Sequence, residues 1–429
     1  MAEHIMQGAE LASKMKASSL LVEPRDDERD LELSANDITW WHDAKIGMFV
    51  HWGVYSVIGK GEWAYFNEHY APEEYRRIAR EEFHPALEPD EIAQGWMDVA
   101  QSMGARYTVM VTRHHDGYAM WDSKASWQDF TSVDCGPGKD YVAAYAKASR
   151  DAGMGLGLYY SPMDWRFPGY FDPAGQPESA QAMKRQAWGQ IRELCSQYQP
   201  DILWYDGGWL AHQGGDRDQV DFWDAVNIAR MVRSFNPKTL MTPRSGYRGD
   251  FACDEGPDAA RGPILPNPWE KCFSSTAAWG YIPGSRVMEP AEIVRLIVDS
   301  VTRGGNVLIN VGPDADGRIP EAVKNSLSQV GQWLERNGQA VYGTQAGPWQ
   351  PVDGVYGSVT AKDGTIYLHV LDRAAVNATI LPPVGRIVRG ASLFDGTPVA
   401  CEQDDRGIRL ALPDAAPDDL GDIVVRLYA

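Results

Sequence analysis

From Trp40 onward, short apolar runs alternate with longer stretches of helical hydrophobic period. The runs 46–51, 107–112, 154–160, 202–206, 239–242 and 306–311 each have the length of a buried parallel strand and end in polar or glycine-rich residues. Between them, Ile92, Trp96, Val99, Ala100 and Met103 share one helical face, as do Ile293, Leu296, Ile297 and Val301. Val323, Leu327, Val330 and Leu334 form a third face, in a helix that the pattern starts at Pro320 and stops at Gly338. Repeated βα units predict an α/β protein built on a (β/α)8-like TIM barrel. A doubly wound open sheet is the alternative, but no G-x-G-x-x-G stands at a strand–helix junction to favour it.

After about residue 345 the pattern changes. The runs 365–371, 378–381, 387–394, 408–412 and 423–427 follow one another without helical stretches, and Asp363-Gly364 and Asp395-Gly396 supply hairpin turns. This predicts a small C-terminal antiparallel β-sandwich. The resulting division is an N-terminal extension over 1–37, a catalytic barrel over 38–343 and the sandwich over 344–429. Of the 16 tryptophans only Trp349 falls in the sandwich, so aromatic platforms able to stack on a sugar belong to the barrel.

Composition narrows the partners. Hydrophobic residues make up 44% and charged residues 23%, the balance of a soluble globular chain. A formal net charge of −19 disfavours nucleic acid and anionic lipid and suits a neutral substrate. No apolar stretch reaches the roughly 18 residues of a membrane span. Cys135, Cys195, Cys253, Cys272 and Cys401 show no C-x-x-C spacing and read as free thiols. Glu3, Glu10, Lys14 and Lys16 interrupt the N-terminus, so no signal peptide is recognised and a cytoplasmic location is expected. A homo-oligomer stays open.

Barrel enzymes carry their chemistry where strands end. Here those ends hold His51-Trp52-Gly53 with Glu62-Trp63 close behind, Arg113-His114-His115-Asp116, Tyr159-Tyr160-Ser161, Trp204-Tyr205-Asp206-Gly207 and Arg244. Histidines, aromatics and carboxylates in this arrangement can orient hydroxyl groups and leave one carboxylate to attack. An Asp at a strand end also serves as a helix cap. His114 and His115 invite a metal reading, but neighbours on a strand point to opposite faces, so no metal and no cofactor is expected.

The segment Trp41-His42-Asp43-Ala44-Lys45-Ile46-Gly47-Met48-Phe49-Val50-His51-Trp52-Gly53, with Gly61-Glu62-Trp63, resembles the N-terminal signature of glycoside hydrolase family 29, the α-L-fucosidases. His114-His115-Asp116-Gly117, Gly157-Leu158-Tyr159-Tyr160-Ser161-Pro162, Leu203-Trp204-Tyr205-Asp206-Gly207 and Gly305-Asn306-Val307-Leu308-Ile309-Asn310-Val311-Gly312-Pro313 follow in the family's order. The resemblance implies a retaining exo-α-L-fucosidase acting on a fucosylated oligosaccharide or glycoside. It places the nucleophile at Asp206. His51, His114, His115, Glu62, Trp63, Trp204, one of Tyr159 and Tyr160, and Arg244 fall on sugar-binding positions. The acid/base glutamate lands on Glu255, on the loop after Arg244 and following Gly249-Asp250-Phe251, with Cys253 and Asp254 replacing the usual flanking pair. Glu270 is a competing carboxyl that otherwise orients a substrate hydroxyl, and Asp254 is a second competitor. Ala64 stands where a tyrosine is common, with Tyr65 one place later. Three rival readings follow: an α-L-galactosidase on the same barrel, an inactive fucose-binding relative, and a metal-dependent barrel hydrolase.

Overall fold

The computed structural model describes residues 23–209, 219–245, 247–414 and 419–428. Residues 1–22 of the expected extension lie outside the described residues. The run of charges Asp26-Asp27-Glu28-Arg29-Asp30 that follows lies against the barrel: a 3-10 turn, Asp26–Leu31, buries the Glu28 carboxylate, and Arg230 holds Asp30 at 3.1 Å. A helix follows at Ala35–Ala44, capped by the Ser34 hydroxyl, and runs into the first strand across the expected junction at 37/38.

Eight parallel strands form one curled sheet: β1 Ile46–Val50, β2 Tyr107–Arg113, β3 Gly155–Tyr160, β4 Ile202–Tyr205, β5 Leu240–Met241, β6 Ala252–Glu255, β7 Trp269–Ser274 and β8 Asn306–Val311. Their order is β5-β4-β3-β2-β1-β8-β7-β6. Alternation along each strand sorts the side chains. Phe49, Tyr107, Val109, Val111, Tyr159, Trp204 and Leu308 fill the barrel, whereas Met48, Val50, Met110, Leu158, Leu203 and Ile309 lie under the surrounding helices. The predicted helical faces are present in helices Pro89–Ser102, Pro290–Val301 and Glu321–Asn337, and each buries its apolar stripe. Burying one such Leu or Ile side chain contributes about 1.5–3 kcal/mol, and that burial holds the helix ring to the barrel.

The ladder is not continuous around the barrel. No pairing joins β5 to β6 among the described residues, and Asp250 spans the seam instead. Its N–H donates to the Met241 carbonyl at 2.8 Å, and its Oδ2 accepts the Met241 N–H at 2.7 Å. Arg233 donates to the other carboxylate oxygen at 2.6 Å. No helix follows β6 either; residues 256–268 are irregular.

Beyond helix Glu321–Asn337 come seven more strands, β9 Gln345–Ala346, β10 Tyr356–Thr360, β11 Ile366–Val370, β12 Gly390–Leu393, β13 Pro398–Asp404, β14 Gly407–Ala411 and β15 Ile423–Tyr428, in an antiparallel sheet of order β14-β13-β12-β15-β11-β10-β9. Ile366, Leu368 and Val370 of β11 (Ile366–Val370) face a core shared with Val399, Ile408 and Leu410 from the far strands, as a sandwich requires. Tyr367 and Val424 point the other way and join the barrel's core. The run 378–381 forms no strand; Leu381 contributes a single bridge to Ile408. No helix among the described residues is long and apolar enough to cross a membrane.

Candidate active site

The C-terminal ends of the barrel strands surround a cleft of about 610 Å³, lined by His51, Glu62, Trp63, His114, His115, Tyr159, Trp204, Asp206, Arg244 and Glu255 together with Phe49, Trp209, Cys272 and Trp279. Strand alternation explains much of the list. Phe49 and His51 are two apart on β1 and its exit, Trp204 and Asp206 two apart on β4, and both pairs point inward. Tyr160 follows the same rule to the opposite face, where its hydroxyl donates to Gln190 on helix Pro177–Tyr198 at 2.9 Å. Of the two tyrosines, Tyr159 alone lines the cleft.

Asp206 lies at its centre. Arg244 Nη1 donates to Oδ1 at 2.9 Å, the Tyr159 hydroxyl donates to Oδ2 at 2.8 Å, and His115 Nε2 lies 3.7 Å from Oδ2. Burial alone would raise the Asp206 carboxyl; the Arg244 charge, His115 and the hydrogen bonds from Arg244 and Tyr159 outweigh it and hold the group below its ordinary value. Gly207 makes the turn that follows, with φ +68°, and a Cβ there would meet Ser161 Oγ at 2.5 Å.

Arg244 also reaches Glu255. Its Nη2 donates to Glu255 Oε2 at 2.6 Å, so one guanidinium bridges two carboxylates on the cleft wall. Arg244 sits in the 3-10 turn Pro243–Ser245 after β5, and its guanidinium lies 5.3 Å from the Trp204 ring centroid. Glu255 is the last residue of β6, a strand end rather than the loop position the sequence suggested. The competing carboxyls lie elsewhere. Asp254 points to the other face of β6 and pairs with Lys271 at 2.9 Å. Glu270 is the second residue of β7, below the cleft floor, and accepts the Tyr107 hydroxyl at 2.5 Å and the Trp204 indole N–H at 2.9 Å. Its carboxyl does not line the cleft, which corrects its expected place beside the substrate.

The three histidines are neutral. Burial depresses His51 to about 3 and His115 to about 4, and pushes His114 well below the ordinary imidazole value. The Asn310 amide nitrogen donates to the Trp279 carbonyl at 2.8 Å, which turns Oδ1 toward His51 Nδ1 at 2.7 Å. His51 therefore carries its proton on Nδ1 and offers Nε2 as an acceptor. His114 and His115 both reach the cleft, contrary to strict alternation, because the register of β2 against β3 shifts between Val111 and Arg113 and the strand ends at Arg113. No group of three His, Cys, Asp or Glu side chains among the described residues is arranged to hold a metal ion.

Glu62 accepts the Gly280 N–H at 2.8 Å, and burial raises its carboxyl above the ordinary value against that bond. Trp63 packs against Trp165 at 5.0 Å and edge-on to His115 at 5.6 Å. Tyr65 leans on Tyr75 and Trp165 and does not line the cleft, so it does not stand in for a tyrosine at Ala64. Sequence reasoning missed Phe49, Trp209, Cys272 and Trp279. Phe49 was legible from its two-residue spacing to His51, whereas Trp279 reaches the cleft from a loop without periodic signal. A carboxylate, three neutral imidazoles and aromatic walls can hold a ring that has hydroxyls on its edge and an apolar face.

A family model described as alpha-L-fucosidase matches residues 17–339. The chain belongs to the α-L-fucosidase family, glycoside hydrolase family 29. It is therefore a glycoside hydrolase by family. It is 30% identical to the tissue alpha-L-fucosidase of Rattus norvegicus over 373 residues, covering 79% of this chain and 78% of the relative. Against the tissue alpha-L-fucosidase of Homo sapiens it is 31% identical over 340 residues, 72% of this chain and 70% of the relative. Among solved structures, alpha-L-fucosidase isoenzyme 1 from Paenibacillus thiaminolyticus superposes with a TM-score of 0.78 at 28% identity, over 91% of this chain and 98% of that one. The Thermotoga maritima alpha-fucosidase in complex with fucose gives a TM-score of 0.72 at 25% identity, over 93% and 98%. The two solved structures superpose on the barrel and the antiparallel domain of this family member alike, over more than nine-tenths of its length.

Proposed function

We propose that the chain is a retaining exo-α-L-fucosidase with Asp206 as nucleophile and Glu255 as general acid/base. The observation that carries this reading is the Arg244 bridge, which places two carboxylates on one cleft wall and leaves Asp206 ionised at neutral pH. Among Glu255, Glu270 and Asp254, only Glu255 lines the cleft.

In the first step an Asp206 oxygen bonds to the anomeric carbon, the glycosidic bond breaks, and Glu255 gives its proton to the leaving oxygen. In the second, Glu255 takes a proton from water, the water oxygen bonds to the anomeric carbon, and the ester bond to Asp206 breaks. The product keeps its configuration. His51 Nε2, His114, His115 and Glu62 take the ring hydroxyls, and the aromatic walls cover the C5 methyl.

Leaving-group dependence tests the assignment. Glu255→Ala is expected to slow fucosides with poor leaving groups far more than a dinitrophenyl fucoside, and azide should then yield fucosyl azide of retained configuration. Early product with inverted configuration by NMR would overturn the retaining mechanism, and this pattern in Glu270→Ala alone would move the acid/base role to Glu270. A 2-fluoro-fucosyl reagent is expected to label the peptide carrying Asp206.

A further inference from the structure

Arg113, Asp164 and Arg166 form a buried cluster of charge beside the sugar cleft, and no step of the proposed reaction uses it. Asp164 Oδ2 accepts Arg113 Nη2 at 2.5 Å, Arg166 Nη2 at 2.6 Å and Gln186 Nε2 at 2.9 Å, while Oδ1 accepts Arg166 Nε at 2.9 Å. A carboxylate so fully occupied holds the turn after β3 in one shape. The other terminal nitrogen of Arg113, Nη1, donates to the carbonyls of Ser161 and Met163, the latter at 3.1 Å. The Ser161 N–H donates back to the Arg113 carbonyl at 3.2 Å, and the Trp165 N–H donates to the His115 carbonyl at 3.0 Å. The backbone on both sides of Ser161 is thus pinned to the strand exit that carries His115.

This scaffold sets the buried Ser161 hydroxyl 2.7 Å from His115 Nδ1. The opposite ring nitrogen, Nε2, lies 3.7 Å from Asp206 Oδ2. Burial, with Arg113 and Arg244 nearby, keeps the ring at one proton against the pull of Asp206. Two placements of that proton are open. On Nδ1, it would go to Ser161, and Nε2 would turn a lone pair on the Asp206 carboxylate. The Ser161 O–H would then have only the Met163 carbonyl, 3.5 Å away and already taken by Arg113. On Nε2, the proton faces the carboxylate, and Ser161 donates to Nδ1 at 2.7 Å. Only the second placement satisfies the buried hydroxyl and sets opposite partial charges together.

We infer that Ser161 is a positioning residue for the reaction: its hydroxyl donates to His115 Nδ1 and fixes His115 as an N–H donor, on Nε2, beside the nucleophile. His115 is then the converse of His51, which offers a lone pair from its Nε2. At 3.7 Å the His115 N–H closes no hydrogen bond to Asp206, so it is left for a substrate hydroxyl that lies next to the carboxylate. Without the Ser161 hydroxyl, the ring has no anchor on its far side and can turn about its Cβ–Cγ bond. The kinetic consequence rests on Asp206 being the nucleophile, as proposed above; the position of the proton does not.

Imidazole 15N spectra of the full chain with labelled histidines read the tautomer directly, the His115 signals being identified by their loss in His115→Asn. In the wild type at neutral pH, Nε2 is expected to carry the proton. Ser161→Ala is expected to show a mixture of His115 tautomers and to lower kcat/KM on an aryl α-L-fucoside by about ten-fold, the scale of one buried hydrogen bond. A role confined to packing would lower the melting temperature and leave both the spectrum and kcat/KM unchanged. A wild-type His115 protonated on Nδ1 would overturn the inference whether or not Ser161→Ala folds. So would a folded Ser161→Ala whose His115 spectrum or kcat/KM matches the wild type. A wild type with the expected spectrum that hydrolyses no fucoside would instead sink the proposed function and leave the Ser161–His115 assignment standing.

Discussion

The indole N–H of Trp204 ends on Glu270 Oε1, while the opposite carboxylate oxygen accepts the Tyr107 hydroxyl. Trp204 in turn lies under Arg244 and stacks on Tyr159 at 5.7 Å, the two side chains that hold Asp206. Glu270 is thus a positioning group one layer below the sugar. Glu270→Leu strands two buried donors and is expected to cost about 1–3 kcal/mol for each in stability. Glu270→Gln keeps an acceptor for Trp204 and should retain most activity. Thermal unfolding and kcat of both variants check this.

The same group predicts a pH effect on stability. Burial, opposed by the Tyr107 and Trp204 hydrogen bonds, raises the Glu270 carboxyl from 4.5 to about 7. Its folded state therefore holds a proton that the unfolded chain has released, and stability from this site is fully present below about 4.5 and lost as pH rises to about 7. Glu270→Gln does not titrate. Its melting temperature relative to wild type should rise across that window and level off above it; a constant difference would contradict the assignment.

Arg244 offsets the burial of Asp206, so Arg244→Gln is expected to move the acid limb of the pH–rate profile upward. The sign follows from the carboxylate being the active form: activity is lost as pH falls through the Asp206 pKa, and that pKa rises without the guanidinium. A limb that stays in place with only kcat reduced would show that Arg244 acts through position alone.

Tyr159→Phe removes one hydrogen bond to a charged oxygen while keeping the ring that packs on Trp204. A loss of about 1.5–3 kcal/mol in transition-state stabilisation, roughly 10- to 150-fold in kcat/KM, is expected with unchanged thermal unfolding. Tyr160→Phe, which breaks a bond to Gln190 outside the barrel, should leave kcat/KM near wild type.

Asn310 selects the His51 tautomer, and Asn310→Leu should weaken substrate binding without touching the sugar itself. A KM that rises as it does in His51→Ala would support this; wild-type kinetics in His51→Ala would make His51 a packing residue.

Strand ends and motif order made most of this site readable before any geometry. The first five strands and β8 are apolar runs, and their exits carry the polar residues. β6 and β7 escaped because Ala252–Glu255 is half charged and Trp269–Ser274 opens with the charged pair Glu270-Lys271; these charges are tolerated because Lys271 pairs with Asp254 and Glu270 is hydrogen-bonded twice. Missing β6 is also why Glu255 read as a loop residue. Alternation correctly separates Tyr159 from Tyr160, but it misleads at His114-His115, where the shifted register of β2 brings both rings inward.

The seam between β5 and β6 gives the reaction a mechanical setting. Arg244 follows the strand on one side and Glu255 closes the strand on the other, so their ion pair crosses this gap in the ladder. Asp206, at the exit of β4, is anchored to continuous pairing; Glu255 belongs to an edge strand whose nearest tie across the gap is Asp250. Across the seam, the separation between the two carboxylates is therefore held by the Arg244 bridge and the Asp250 contacts rather than by a strand ladder. Asp250, which does not line the cleft, is thus tied through one seam to the spacing of the two carboxylates that do.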